Sequence, residues 1–399
     1  MRQVLTPPDT GLKDLSDYVP DFVDALTGPL TAEEQESGTY QAPIPPRIAM
    51  TGTYDEILEY FEGDQFSPSP LAGGGWCWMT DGSPIVPPTE ERVARMLTGT
   101  SHSPDEELNF GGRIAEDRIA NVEKVAINAV MAGCEPEYLP VVLAVAETGA
   151  CTGYTGDAVY SHLYVVSGPI AQEIGMNYGF SFLTPGNKPN TTIQRACVLM
   201  GINLAGLKVS VNNGERMGNT MYGQIFSEAP LTPWPTLNVQ KGYQPTESIL
   251  LNFSSFNIVS PGVSPHGTDA PGLKGFQLGS PGQIVEAFEH YTPGSIIFTP
   301  DAAQLYIDEF GYETPGELKQ YVYDNALCSL EWAQRQYYPA GRRPVFPEPD
   351  ANGMIRKLFQ EGTPDAIEII VAGGPGPAWG TAGTLGMFGG GIILIDKWR

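Results

Sequence analysis

Apolar and polar positions fall into helical periods in several well-bounded segments. After Asn121, the residues Val122, Val125, Ala126, Ala129 and Val130 recur at i, i+3, i+4, i+7 and i+8. That is one apolar face, which Asn121 can cap and Gly133 can end. Thr89, followed by Glu90 and Glu91, opens a helix that runs to Leu97. A shorter helix is predicted over 55–61, and Pro140 opens an apolar segment over 141–146. A helix over 191–204, capped by Asn190, carries Ile193, Ala196, Cys197, Met200 and Leu204, but also Leu199 and Ile202. Apolar residues on more than one face predict a largely buried helix.

Strand signals lie between these helices. Residues 163–166 read as a buried strand that runs through Ser167-Gly168-Pro169 into a short helix, IAQEIG. In the last third, Ser280-Pro281 and Thr299-Pro300 open helices, and Thr314-Pro315-Gly316-Glu317 forms a capping box with proline at the first helical position. SIIF (295–298), IEIIVAGG (367–374) and GIILID (391–396) read as strands. Strands alternating with helices predict an α/β fold with a mixed, partly parallel sheet, many short helices and long Gly/Pro-rich loops. Three regions follow: a Pro/Gly-rich arm over 1–85, a motif-bearing core over 86–240, and an α/β part over 241–399 of the same or a second domain.

Composition sharpens this picture. The 47 glycines and 36 prolines make up about a fifth of the 399 residues, against roughly 12% in average usage. The excess is dispersed, as tight turns and ordered loops require. The formal net charge of -24 disfavours nucleic acid and anionic membrane surfaces as partners. The five cysteines (Cys77, Cys134, Cys151, Cys197 and Cys328) form no CxxC pair, which fits a reducing compartment and argues against a zinc ribbon. The start of the chain has no signal-peptide apolar stretch, and no run of about 18 apolar residues occurs, so a cytoplasmic protein is expected. Trp76 and Trp78 anchor an arm that packs on the core or on a neighbouring subunit, and the glycine-rich stretch 373–391 is a mobile loop or tight backbone packing, unless both serve interfaces in the expected homo-oligomer or with a small redox partner.

Candidate chemistry is sparse. No nucleotide, haem or zinc motif is present, the four histidines are dispersed, and the cofactor is unknown with a metal left open. Lys124 and Asn128 lie four apart, away from the apolar face of their helix, to meet either a ligand or water. Cys134 closes that helix as a small buried thiol, or as one activated by a following helix. Arg195, on a helix apolar nearly all round, needs an anionic partner: a protein carboxylate such as Glu228, or a substrate carboxylate or phosphate. The polar run PGNKPNTTIQR is an anion cradle, or simply a loop and a cap.

Several segments resemble the large core module of the UGSC family: DGSPIVPPTEERVARML, VEKVAINAVMAGCEPEYLPVVLA, VVSGPIAQEIGMN, TPGNKPNTTIQRA, GINLAG, EAPLTPWPTL, FTPDAAQLYIDEFGY and IIVAGGPG, over about 81–376. The Sec/Cys-Gly-Ser-Cys motif that names the family is absent; Cys151 in GACTG has no second cysteine, and Ser167 stands where the family would have asparagine. The resemblance implicates Lys124, Cys134 and Glu228 in catalysis, and Arg195, Asn190, Asn128, Asn203, Glu91, Arg92 and Trp234 in substrate binding. The expected function is an enzyme acting on a small polar or anionic molecule, by lyase or hydratase chemistry or by thiol-assisted redox chemistry. The alternative is a non-catalytic assembly subunit that partners a small thiol or selenol redox protein.

Overall fold

A computed structural model of the chain describes residues 19–29, 47–48, 50–62, 79–108, 120–149, 161–205, 224–255, 281–287, 294–337, 345–356, 363–376, 379–382, 384–385 and 391–399. Trp76, Trp78, Cys77, Cys151 and most of 377–390 lie outside the described residues. The helices are α1 (Val19–Thr27), α2 (Tyr54–Glu62), α3 (Glu90–Leu97), α4 (Val122–Ala132), α5 (Leu139–Glu147), α6 (Ile170–Glu173), α7 (Lys188–Asn203), α8 (Leu237–Gln240), α9 (Pro281–Ala287), α10 (Pro300–Phe310), α11 (Pro315–Asn325) and α12 (Leu330–Tyr337). The strands are β1 (Glu107–Leu108), β2 (Ala120–Asn121), β3 (Ser161–Ser167), β4 (Gln224–Ser227), β5 (Ile249–Ser255), β6 (Ser295–Phe298), β7 (Leu327–Ser329), β8 (Met354–Arg356), β9 (Glu368–Val371), β10 (Trp379–Ala382), β11 (Thr384–Leu385) and β12 (Ile392–Leu394).

The cap signals act where the sequence places them. Thr89, Asn121 and Thr299 each accept from a backbone amide of the first turn, and Thr314 with Glu317 completes the capping box. Gly133 ends α4 in the left-handed region at φ 86°, which a residue without Cβ adopts freely. The cap of α7 differs from expectation. Asn187, not Asn190, accepts the first-turn amide, and Lys188 and Pro189 open the helix. Pro189 fits the first turn because its missing N–H would have had no helical partner there.

Two mixed sheets form the centre. The first runs β11-β5-β3-β4, with β12 also on β5; β3 and β4 are parallel, and β3 and β5 antiparallel from Ser161↔Ser255 to Ser167↔Ile249. It therefore takes strands from both sides of residue 240. The second runs β10-β6-β9, with β6 and β9 parallel. Alternation along the strands assigns the layers. Tyr164, Val166 and Leu250 pack with α4, α5 and α7, whereas Leu163, Val165 and Leu251 pack against Ile297 and Ile370 of the second sheet. Ile296, Phe298 and Ile369 turn the other way, onto α10 and α11. The result is an α/β stack of helices, sheet, sheet and helices. The sheets are joined where β4 and β9 end: Ala229 N–H donates to Val371 O at 2.8 Å. No helix among the described residues is long and apolar enough to cross a membrane.

Candidate functional site

Helix α7 organises the polar residues. Its buried face rests on α4, α5 and β4, and its N-terminal half borders a cleft of about 560 Å³. The opposite wall is formed by Phe182, Leu183 and Pro185, and the floor by Gln224 and Ile225 at the start of β4. Asn190, Gln194 and Arg195 all line it.

Arg195 has a protein partner, but not Glu228. Its Nε donates to Asp81 Oδ2 and its Nη2 to Asp81 Oδ1, both at 2.9 Å, and Nη2 also reaches Ser83 O at 2.8 Å. The Asp81 side chain is 3% exposed and that of Arg195 20%. This fork-on-fork pair neutralises the guanidinium charge inside the wall of the cleft. The anion cradle is likewise occupied. Asn187 caps the helix and donates to Gly175 O at 2.9 Å, while Asn190 accepts from Asn177 N–H and donates to Asn177 O, both at 3.1 Å. Both asparagines pin the preceding loop.

Gln194 was not anticipated. It is 8% exposed, lines the cleft, and among the described residues its Oε1 has no hydrogen-bond partner. A buried carbonyl without a donor is unusual in a native structure. In sequence it reads only as one more polar residue beside Arg195.

The other expected site residues scatter. Asn128 is buried rather than solvated: it donates to Lys124 O and accepts from Asn203 Nδ2, both at 2.9 Å, and Asn203 also donates to Met79 O at 3.1 Å. This pair ties α4 to α7, and the Lys124 side chain is exposed on the first turn of α4. Glu91 and Arg92 are exposed on α3, and the Arg92 Nη1 donates to Pro87 O at 2.9 Å. Trp234 is buried in the second sheet's core; its Nε1 donates to Tyr312 O at 3.0 Å. Cys134 is buried beside α7, and burial pushes its thiol up to about 12 against the opposing Thr192 hydroxyl and Lys188 charge. The helix expected to activate it opens as a 3₁₀ turn, Pro136–Tyr138, and runs straight on into α5, yet burial outweighs whatever its N-terminus supplies.

Glu228 lies beyond the end of β4, on the face turned towards the second sheet, about 10 Å along the chain from the cleft floor at Ile225. It is 5% exposed. Its Oε2 accepts from Ser167 Oγ at 2.6 Å and Leu237 N–H at 2.8 Å, while Oε1 makes no well-formed hydrogen bond. Burial pushes the carboxyl up to about 7, outweighing the Ser167 hydroxyl and the Leu237 and Val371 backbone. Ser167 Oγ in turn accepts from Asn238 N–H at 3.0 Å. The position, past the carboxyl end of a parallel strand, is where α/β proteins place reactive groups.

No group of three or more metal-ligating side chains occurs among the described residues. No family model, curated protein or solved structure matches this chain.

Proposed function

We propose that the chain binds a small, uncharged polar molecule in the cleft between α7 and β4, and that this molecule is its substrate. One observation carries the reading: the buried, unpartnered Gln194 carbonyl in the wall of a cleft of about 560 Å³, within the size range of small-molecule sites. Two facts favour a neutral ligand over an anionic one. The nearby guanidinium is already neutralised by Asp81, and the whole chain carries -24. A fragment screen by crystal soaking or ligand-observed NMR tests it. Binders should seat against Gln194 and Phe182, and Gln194→Leu should weaken them at least tenfold. Binders that seat elsewhere, or an unchanged affinity in the variant, would sink the proposal.

A second reading adds turnover by proton transfer, of lyase or hydratase type: Glu228, past the carboxyl end of β4 and pushed up to about 7, is its acid–base group, acting on a substrate that extends about 10 Å beyond the cleft floor. Thiol-assisted chemistry at Cys134 is disfavoured, because a thiol pushed up to about 12 holds only about one part in 10⁵ as thiolate at pH 7. The sulfur chemistry implied by the UGSC resemblance would have to come from a partner protein. Measured turnover that survives Glu228→Gln undiminished would remove the catalytic assignment.

A further inference from the structure

Among the described residues β4 is the last strand of its sheet, and none of them forms a strand on its other side. Two hydrogen bonds fix which residues face each way. Glu228 N–H donates inward to Val166 O at 2.9 Å, and Ser227 N–H donates outward to Asn177 O at 3.4 Å. Backbone groups alternate in direction along a strand, so Ile225, two residues before Ser227, also presents its N–H and C=O outward. Ile225 is 3% exposed and forms the floor of the cleft, and no described residue takes up either group. Buried backbone polar groups are nearly always paired. The cleft is thus bordered by one donor and one acceptor from Ile225, and by Gln194 on α7, whose buried Oε1 has no partner among the described residues.

We propose that the cleft recognises a neutral amide, a small molecule whose own N–H and C=O pair with Ile225 as an added strand residue would. A second donor on the ligand reaches Gln194 Oε1, and its apolar group rests on Phe182, Leu183 and Pro185. The inference rests on the substrate-cleft reading and narrows its chemical class. A carboxylate or an ammonium would find no free countercharge among the described lining residues, because Asp81 and Arg195 neutralise one another.

The test uses the full chain, ¹⁵N-labelled and titrated with the diamide N-acetyl-leucinamide. The comparisons are its carboxylate analogue, its free-amine analogue and its methyl ester. The diamide should shift the Ile225 amide and Gln194 side-chain signals, and each analogue should bind at least tenfold more weakly. Gln194→Leu should weaken the diamide at least tenfold, and the Ile225 signal in the unaltered chain makes the test independent of that variant's folding. A carboxylate that binds as well as the diamide overturns the amide assignment. So does a ligand that moves Phe182 and Gln194 but leaves Ile225 unmoved; in either case the cleft survives as a binding site. Silence of all four probes and of a general fragment set at the cleft residues overturns both proposals.

Discussion

Arg195 matters more as a strut than as a ligand hook. Its fork on Asp81 joins α7 to the stretch before α3, across 114 positions of sequence. Removing the cation would strip a carboxylate that is 3% exposed of its guanidinium fork, and breaking a buried pair from one side costs about 3–5 kcal/mol. Arg195→Met should therefore lower the unfolding free energy by about 3 kcal/mol, and adding Asp81→Asn should restore most of it. A denaturant double-mutant cycle measures the coupling; a value near zero would show the pair to be ornamental. Cys134 gives a second test at this scale. Native protein at pH 7 should resist iodoacetamide at Cys134 while denatured protein reacts fully, as burial and a thiol pushed up to about 12 require. Rapid native labelling, read by peptide mass, would contradict it. In the sequence, Arg195 was legible as a partly buried cation in need of an anion, because its helix is apolar nearly all round. Asp81 was not, since it lies in a turn-rich stretch with no period to mark its burial. Gln194 was invisible for a different reason: an unpartnered carbonyl is a property of surroundings, not of spacing.

At the scale of elements, the entry to α7 decides how the cleft is built. Asn187 caps the helix and holds Gly175 O, and Asn190 holds both backbone groups of Asn177. Ser227 N–H then donates to the same Asn177 carbonyl, so loop, helix and strand edge share one anchor. Asn187→Ala should cost about 0.5–2 kcal/mol, the range for a lost N-cap. Asn187→Asp should recover the part due to the cap but not the tie to Gly175. Thermal unfolding of the two variants separates these contributions; equal losses would mean that the cap contributes nothing. Caps were the most readable features, because a capping box or a Thr-Pro entry is chemistry within four residues. The one error, Asn190 for Asn187, arose from two asparagines three apart, between which Pro189 decides. The short strands β1, β2, β7 and β8 escaped notice because two or three residues carry no alternation; they exist through their partners.

Across the whole molecule, the mixed α/β class was readable from alternating elements, but the two-sheet stack was not. β3 pairs with β5 some 90 positions later, and β12 closes the same sheet from the far end of the chain. Pairing at that distance leaves no local trace. The stack buries two titratable groups with opposite consequences for stability. Burial holds Glu228 near 7, so the native state keeps a proton that the unfolded chain sheds from about 4.5. Stability from this group is therefore lost as pH rises from 4.5 to 7. Burial holds His162, on β3, down to about 4 against an opposing contact with Asn252, whereas the unfolded imidazole titrates near 6.5. The unfolded chain takes up that proton first, so stability is lost as pH falls from 6.5 to 4. Each shift corresponds to about 3 kcal/mol, and between pH 4.5 and 6.5 the two effects oppose each other. Glu228→Gln removes one of them. Relative to the parent, the variant should gain stability progressively from pH 4.5 to 7, by up to about 3 kcal/mol, and hold that gain above pH 7. His162→Gln should also gain on the parent, but as pH falls: the difference is absent above about 6.5 and largest below about 4. Urea midpoints at half-unit steps from pH 4 to 8 measure both. A pH-independent difference for Glu228→Gln would mean that its carboxyl titrates as it does in the unfolded chain, and the acid–base role proposed for it would fall with that result.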